Sequence, residues 1–559
     1  MRQALSRPTG TLDEAQLQAL EVLDATGQGI AALDGIEKLS GLRHLLLARN
    51  QVRDLQPLAG LSHLQALDLS HNQVQDLQSL AGLGELTGLN LDFNQVSQIH
   101  TLSRLSRLQV LDLANNQVQD ISVLLGLGRL RSVELSGNPL SETSLNEHLK
   151  ILDSRGVQVV FYTSEPIIFI PDWRLEDLLR KRMKKPVGNL TAEELARFTS
   201  LEIPEGSKIE DLRGLEHMVN LGVLIIQKNP VVDLTPLKEL KQLTNLTITE
   251  TKVKDLSPLA GLINMHILDL NHNLIEDVHP LVEMSSLGSL DLSFNQVRDL
   301  SALAGLKTLN ALFLDLNPIE DLSPLSHLRS LNRLTLRSTI SRDLSPLADL
   351  KNLRTLDISY NQVQDLSPLA GLNLSQLYLS NNRVSDLTPV AGNLQLSALD
   401  LADNIVEDLT PLAGLTRLRT LRFSANLVDD LSVLAQMPLL ADLNFIGNQV
   451  KDLSPLADLI NMRSLQFSSN QVADLSPLAH MVSLVQLSFA SNQVEDLSPL
   501  ARLKLLVELN AHTNHIAEIG VLLDLERLKT VSLFENPLNL ATAPVVVSEL
   551  EKRGVEVTF

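Results

Sequence analysis

Leucine and valine recur along almost the whole chain at positions set by one period. Ahead of Asn72, Leu64, Leu67 and Leu69 are apolar, while Ala66, Asp68 and Ser70 alternate with them. An alternation of period two over so few residues predicts a short strand with one face turned inward. Beyond the Asn the text runs Val-x-Asp-Leu-Ser-Pro-Leu, in which Ser257 with Pro258 has the N-cap and first-turn chemistry of a short helix or 3₁₀ turn. That turn returns the chain to the next strand. A strand every 22 residues, always in the same sense, predicts a parallel sheet wound as a solenoid around a continuous aliphatic core.

Asparagines keep the register. One series is Asn50, Asn72, Asn94, Asn116 and Asn138, each step being 22 residues. A second runs through Asn229, Thr251, Asn273, Asn295, Asn317, Thr339 and Asn361, then Asn382, Asn404, Asn426, Asn448, Asn470, Asn492, Asn514 and Asn536. Of these 20 positions only Thr251 and Thr339 depart from Asn, and only the step from 361 to 382 is short, by one residue. A carboxamide offers two donors and an acceptor, which suits a corner whose backbone groups the stack buries.

The ends of the two series match each other. Residues 137–161 align with 535–559 at one offset: Asn138-Pro139-Leu140 answers Asn536-Pro537-Leu538, Arg155-Gly156-Val157 answers Arg553-Gly554-Val555, and Phe161 answers Phe559. Each reads as a closing helix, a Gly stop and a final strand. At the openings, 179–201 resembles 1–23, with Pro186, Gly188, Leu190, Leu195 and Leu201 answering Pro8, Gly10, Leu12, Leu17 and Leu23. Thr191 with Glu194 is a capping box, and Asp13 with Gln16 a looser one. In the second copy the cap begins earlier, at Ile170-Pro171-Asp172-Trp173, with Asp172 placed to cap a helix over 173–183. Two tandem arrays follow. The first spans 1–163, with a shortened N-cap 1–23, five ladder repeats and a C-cap 139–161. The second spans 164–559, with an N-cap 166–203, fifteen ladder repeats and a C-cap 537–559. At a strand spacing of roughly 4.8 Å, fifteen rungs make a stack on the order of 70 Å long, a length suited to a macromolecular partner.

The repeat LxxLxxLxLxxNxVxDLSPLAGL, seen in LRTLDISYNQVQDLSPLAGL (353–372), resembles the bacterial leucine-rich repeats of the internalin type and covers nearly the whole chain. The resemblance implies an α/β solenoid of two horseshoes, each with a parallel β-sheet on the concave face, short helical or 3₁₀ turns on the convex face and a helical N-cap. It also implies protein recognition through the concave surface. The chain shows no cell-wall anchor, no immunoglobulin-like tail and no signal segment of the kind that accompanies surface display. As it stands it reads as cytoplasmic, or as secreted or surface-bound if an upstream export signal precedes Met1.

Composition narrows the chemistry. The net charge of −20 has the wrong sign for nucleic acid or for an anionic membrane. No apolar run reaches the ~18 residues of a membrane span. With no Cys, disulfides, thiolate metal sites and cysteine nucleophiles are excluded together. No phosphate loop, nucleophile elbow or zinc-protease motif is present. Asp269-Leu-Asn271-His-Asn273 begins like a calcium loop, but Leu274 stands where Gly is required and Pro280 where the bidentate Glu belongs. No metal or cofactor is expected. His71, His272 and His512 fall at strand ends and read as exposed polar positions. The run Arg180-Lys181-Arg182-Met183-Lys184-Lys185 reads first as a solvated helix end, and second as an anchor for an acidic partner or a contact with the first array.

Function is therefore sought on the concave face. Counting back from each ladder Asn, the residues two, four and six places earlier point outward. The fourth is often acidic, as Asp68, Asp112, Glu134, Asp269, Asp291, Asp357 and Asp400 show. The stripe reads either as solubility or as attraction for a basic surface. Phe294, Phe313, Arg333, Arg337, Tyr360 and Tyr378 break the monotony over five consecutive rungs, and they are of the types enriched in binding hot spots. The leading reading is a non-enzymatic scaffold that binds a protein through the larger array. The alternatives are an intracellular regulatory subunit resembling leucine-rich-repeat phosphatase regulators, and an enzyme or inhibitor acting on a glycan or peptide. The sequence leaves the oligomeric state open.

Overall fold

A computed structural model describes residues 14–162, 168–186 and 190–559. The Asp13–Gln16 box, most of the 1–23 cap and the 163/164 boundary lie outside the described residues. The chain forms two compact units, Met1–Thr199 with Asp211–Val219, and Ser200–Glu210 with Asn220–Phe559. Among the described residues no helix is long and apolar enough to cross a membrane.

Each unit holds one all-parallel sheet. Seven strands, from Val22–Asp24 to Gln158–Val160, build the first. Seventeen, from Ser200–Ile203 to Glu556–Thr558, build the second. Strands pair with their sequence neighbours in 22-residue register, Ala66 beside Gly88 and Leu67 beside Leu89 for example, except at the short rung (Thr355 beside Gln376), at the start of the second sheet (Ser200 beside Val223) and at the two closing strands (Ser132 beside Gln158, Thr530 beside Glu556). Among the described residues no pairing joins the first strand of the second sheet to its last, so the ladder is open. The leucines between outward residues are buried, as are those of the returning 3₁₀ turns. Four consecutive rungs replace Leu by Phe three residues before the Asn. Phe423, Phe445, Phe467 and Phe489 are fully buried and stack at ring separations of 5.6, 5.6 and 5.7 Å.

The bends repeat in detail. Asn72 Nδ2 donates to the carbonyls of Leu47 (2.9 Å), Leu69 (3.0 Å) and Ser70 (3.1 Å), and its Oδ1 accepts from Val52 N–H (2.9 Å). One side chain thus closes its own corner and ties it to the rung before. At Thr339 a hydroxyl takes the place, donating to Leu336 O (3.3 Å) or Asn361 Oδ1 (3.0 Å), while Ile319 N–H turns to Asn317 O (2.8 Å). Thr251 likewise donates to Asn273 Oδ1.

The residue just before each of the twenty ladder positions is left-handed. Eighteen are not glycine, with φ between 50° and 61°, and the other two are Gly137 (71°) and Gly447 (69°). Left-handed geometry costs about 1–2 kcal/mol for a residue with a Cβ. The three or more hydrogen bonds of a ladder Asn, at about 1 kcal/mol apiece, outweigh it.

The returning turn corrects one sequence expectation. Ser257 does not cap the 3₁₀ turn Ser257–Leu259 but opens it as its first residue. Asp255 does the capping: its carboxylate accepts from Ser257 N–H (2.8 Å) and from Ser257 Oγ (2.9 Å). The same bonds hold the Asp120, Asp343 and Asp452 carboxyls below the usual carboxylate range. Much of the acidic excess therefore serves turns.

Helices occupy the ends. In the first unit they are α1 (Glu14–Gln18), α2 (Leu149–Ser154, extended in front by a π-turn Ser144–His148), α3 (Trp173–Met183) and α4 (Ala192–Leu195). Asp172 caps α3 through Arg174 N–H (2.9 Å), and the Thr191–Glu194 capping box forms both of its bonds. In the second unit α5 (Ala543–Lys552) is followed by Gly554 at φ 80° and the last strand. Arg155 and Arg553 fasten these closing segments, donating to Leu125 O (2.7 Å) and Leu523 O (2.8 Å) respectively.

Candidate functional site

On the sheet of the second unit the register sets Asp269, Asp291, Phe313, Thr335, Asp357, Tyr378 and Asp400 in one row across adjacent strands. The acids in this row are not simply aimed at solvent. Asp269, Asp291, Asp357 and Asp400 each accept from the N–H two residues on, of Asn271 (3.2 Å), Ser293 (2.8 Å), Ser359 (3.0 Å) and Ala402 (3.0 Å). A strand that ends at a left-handed bend strands that N–H, and an Asp at this place satisfies it. Burial pushes the Asp269 and Asp400 carboxyls up. In the first unit Asp112 departs further from an outward position, being only 7 % exposed.

The aromatic and arginine residues fall into two groups. Phe313, Arg333 and Tyr378 stand on strands, with the Arg333 guanidinium over the Phe313 ring at 5.2 Å. Phe294 and Tyr360 are not on strands but at left-handed bends, with φ 57° and 61°, so they line one rim of the sheet and are about half exposed. Arg337 links the groups. Its guanidinium lies over Tyr360 at 5.7 Å and its Nε is 3.7 Å from Asp357.

The same rim is occupied in the first unit. Its left-handed column is Gly27, Arg49, His71 and Phe93 on consecutive rungs, and α3 lies against it. An added Cβ on Gly27 would come within 3.2 Å of Trp173 Nε1, so the indole needs a glycine there. Arg49 pairs with Glu176, which also accepts from Arg180 Nε at 2.7 Å. His71 stacks on Phe93 at 4.5 Å, and Phe169 leans on both rings at 5.9 and 6.0 Å. Burial, reinforced by Arg49 and Arg180, pushes His71 down to about 3, so it is neutral beside Glu176. Arg180 also faces Asp92 and Asp112, whose carboxyls burial drives well above the usual range.

Two sequence expectations change here. His71 is largely covered by α3, its side chain 11 % exposed, and is not an exposed polar residue. The basic run divides: Arg180 faces Asp92 and Asp112 of the first array, whereas Lys181 is exposed and pairs with Asp177 of its own helix. The rim itself was missed, because its residues share a backbone conformation and no residue type. One signal was available. His and Phe recur 22 apart, and each such pair stacks: His71 with Phe93, His272 with Phe294 (3.8 Å) and His512 with Phe534 (4.2 Å).

A leucine-rich-repeat model matches residues 40–96, and a model of two leucine-rich-repeat copies matches 329–371. An internalin (inlF) from Listeria monocytogenes is 31 % identical, with a TM-score of 0.52, over 63 % of this chain and 96 % of that one. The chain belongs to the internalin-like leucine-rich-repeat family. Internalin C2 from the same organism is 28 % identical over 42 % of this chain and 96 % of its own, with a TM-score of 0.34. A plant peptide hormone receptor, RGFR1 in complex with RGF2, is 17 % identical over 97 % of this chain and 89 % of that one at a TM-score of 0.50, which is a likeness of fold. No curated protein sequence matches. In this internalin-like chain the core Leu and the bend Asn recur from rung to rung, whereas the residues of the strand row and the rim change.

Proposed function

We propose that the chain is a non-enzymatic protein-binding scaffold whose contact centres on Phe313, Arg333 and Tyr378 of the larger array. The observation that carries this reading is the Arg333–Phe313 pair, a guanidinium held over a half-buried ring in a row whose other strand positions are mainly Asp, Ser, Thr, Ala and Gln. Such pre-arranged ring and guanidinium surfaces lose little conformational freedom on binding and dominate contact energies. Asp269 and Asp291 use one carboxylate oxygen on the backbone and keep the other for a basic surface, whereas the second oxygen of Asp357 faces Arg337. A polyanion such as nucleic acid would meet that row with like charge. The groups are spread along a ladder, an arrangement that reads a surface and does not converge on one reacting atom.

The test uses the full chain as bait and a variant carrying Phe313→Ala, Arg333→Ala and Tyr378→Ala together. The variant should lose protein capture while its melting curve stays in place. Undiminished capture would remove the patch from the reading.

A further inference from the structure

The first unit contains a worked example of what its rim binds, and the second unit presents a related rim on which Phe294 is exposed. Superposed on the stacked pair, one rung out of step with the match of the caps, His71 and Phe93 of the first rim fall on His272 and Phe294 of the second. Both pairs stack with nearly parallel rings, 13° and 15° apart. In the first unit the pair is covered by Phe169 and α3, whereas in the second Phe294 is 43 % exposed. One rung earlier the correspondence inverts in charge. Arg49, which holds Glu176 of the docked helix, is matched by Glu250. Glu250 has Lys228 at 3.7 Å, but that ammonium is 2.6 Å from Glu205 and is committed there first. Asp269 and Asp291 flank the exposed stack from the strand row, where Asp68 and Asn90 flank the covered one.

We infer that the His272–Phe294 rim of the larger array docks an amphipathic helix of a protein partner that presents an aromatic ring ahead of the helix and an Arg or Lys where α3 carries Glu176. The ring takes the place of Phe169 on the stacked pair. The cation takes the place of Glu176 and meets Glu250, with Asp269 and Asp291 adding to the negative field beside it. Shape is copied from the first unit and charge is reversed at one position. This rests on the scaffold reading above and names the kind of segment that this edge recognises.

The probe is a labelled synthetic peptide of residues 168–186, in its natural sequence and with Glu176→Arg, titrated against the full-length protein. The Glu176→Arg peptide should bind about tenfold more tightly than the natural one, since a like-charge juxtaposition becomes an attraction. Phe294→Ala in the protein should weaken it by about the same factor. Glu250→Arg should invert the order of the two peptides, and Glu250→Gln should abolish the difference. A general attraction of a basic peptide to an acidic protein would give no inversion, so an unchanged order in Glu250→Arg overturns the inference, as does failure of both peptides to bind. The Phe313, Arg333 and Tyr378 triple variant should keep the peptide preference. If it keeps it while the wild-type chain captures no partner, the rim stands and the wider reading falls; if it loses it, the rim is not a separate dock.

Discussion

Asn393 gives its side-chain oxygen to the backbone N–H of Leu374, 2.9 Å away on the rung before. In other rungs the residue at the place of Asn393 is a core Leu or Met, and the N–H corresponding to Leu374 is satisfied within its own turn, as Leu418 N–H is by Leu415 O at 3.1 Å. The rung between Asn361 and Asn382 lacks one residue, and the loss falls between Leu372 and Leu374, which removes that local acceptor. Asn393, fully buried, repairs it, and its Nδ2 lies 3.3 Å from Val390 O and 3.4 Å from Leu369 O. Asn393→Leu restores the repeat's usual residue, yet it should destabilise the second unit by about 1–3 kcal/mol, because a buried N–H is left without a partner. Urea denaturation of the full chain checks the sign. A gain in stability would mean that packing at this site outweighs the hydrogen bond.

The ladder asparagines make a second prediction in graded form. Asn426→Ala removes the donor to Leu401 O (2.9 Å), Phe423 O (3.1 Å) and Ser424 O (3.1 Å) and the acceptor of Val406 N–H (2.9 Å). The expected loss is about 3 kcal/mol or more, since several buried backbone groups are orphaned together. Asn426→Thr should lose roughly half as much, because Thr339 shows that a hydroxyl serves part of the corner. Equal denaturation midpoints for the Ala and Thr variants would contradict this account of the bend.

How much of this was legible in the sequence depends on whether a structural demand selects a residue type. Burial in the core selects Leu, and the buried corner selects Asn, so the solenoid, its period and its closing segments could be read directly. The left-handed bend selects nothing, because the bonds around Asn impose it on Arg49, Phe294, Ala425 and Thr513 alike. The rim was therefore invisible as a column, although Phe294 and Tyr360 are among residues expected on or at the edge of the concave sheet. The acids four places before each Asn looked like a free stripe, but half of their hydrogen-bonding capacity is local, as Asp291 shows with Ser293 N–H. The seat of α3 depends on one long-range pairing, Arg49 with Glu176, which no local pattern announces.

The bend geometry itself can be probed at two neighbouring rungs. Ala425 has φ 51° and Gly447 φ 69°, each just ahead of its ladder Asn. Gly447→Ala should cost about 1 kcal/mol or more, and Ala425→Gly should gain up to about 1 kcal/mol. A Cβ on Gly447 would meet Ala425 N and Cα at 3.7 and 3.8 Å, ordinary contact distances, so the cost is conformational and not steric. Paired melting curves measure both changes. Destabilisation by Ala425→Gly would show that the folded bend does not strain its Cβ.

The carboxylates under α3 predict a pH dependence of definite sign. Burial, and then repulsion from Asp92, raise the Asp112 carboxyl above its unfolded value of 3.8. Across the interval between those two values the folded state holds a proton that the unfolded chain releases, so stability from this group is present at low pH and lost as pH rises. Asp112→Asn keeps the acceptor that Asp112 Oδ1 offers to Ala114 N–H at 3.0 Å and removes the titration. The variant should therefore unfold at a higher temperature than the wild type at about pH 9, and the difference should shrink towards about pH 5. The turn aspartates such as Asp120, whose carboxyls are lowered, lose their contribution only as pH falls below the ordinary carboxylate value, outside that range. Trp173, the one tryptophan of the chain, lies in the first unit beside Gly27 and reports on it by fluorescence while the second unit stays silent. A pH-independent gain would assign the effect to packing, and no gain at either pH would mean that Arg180 already neutralises the pair.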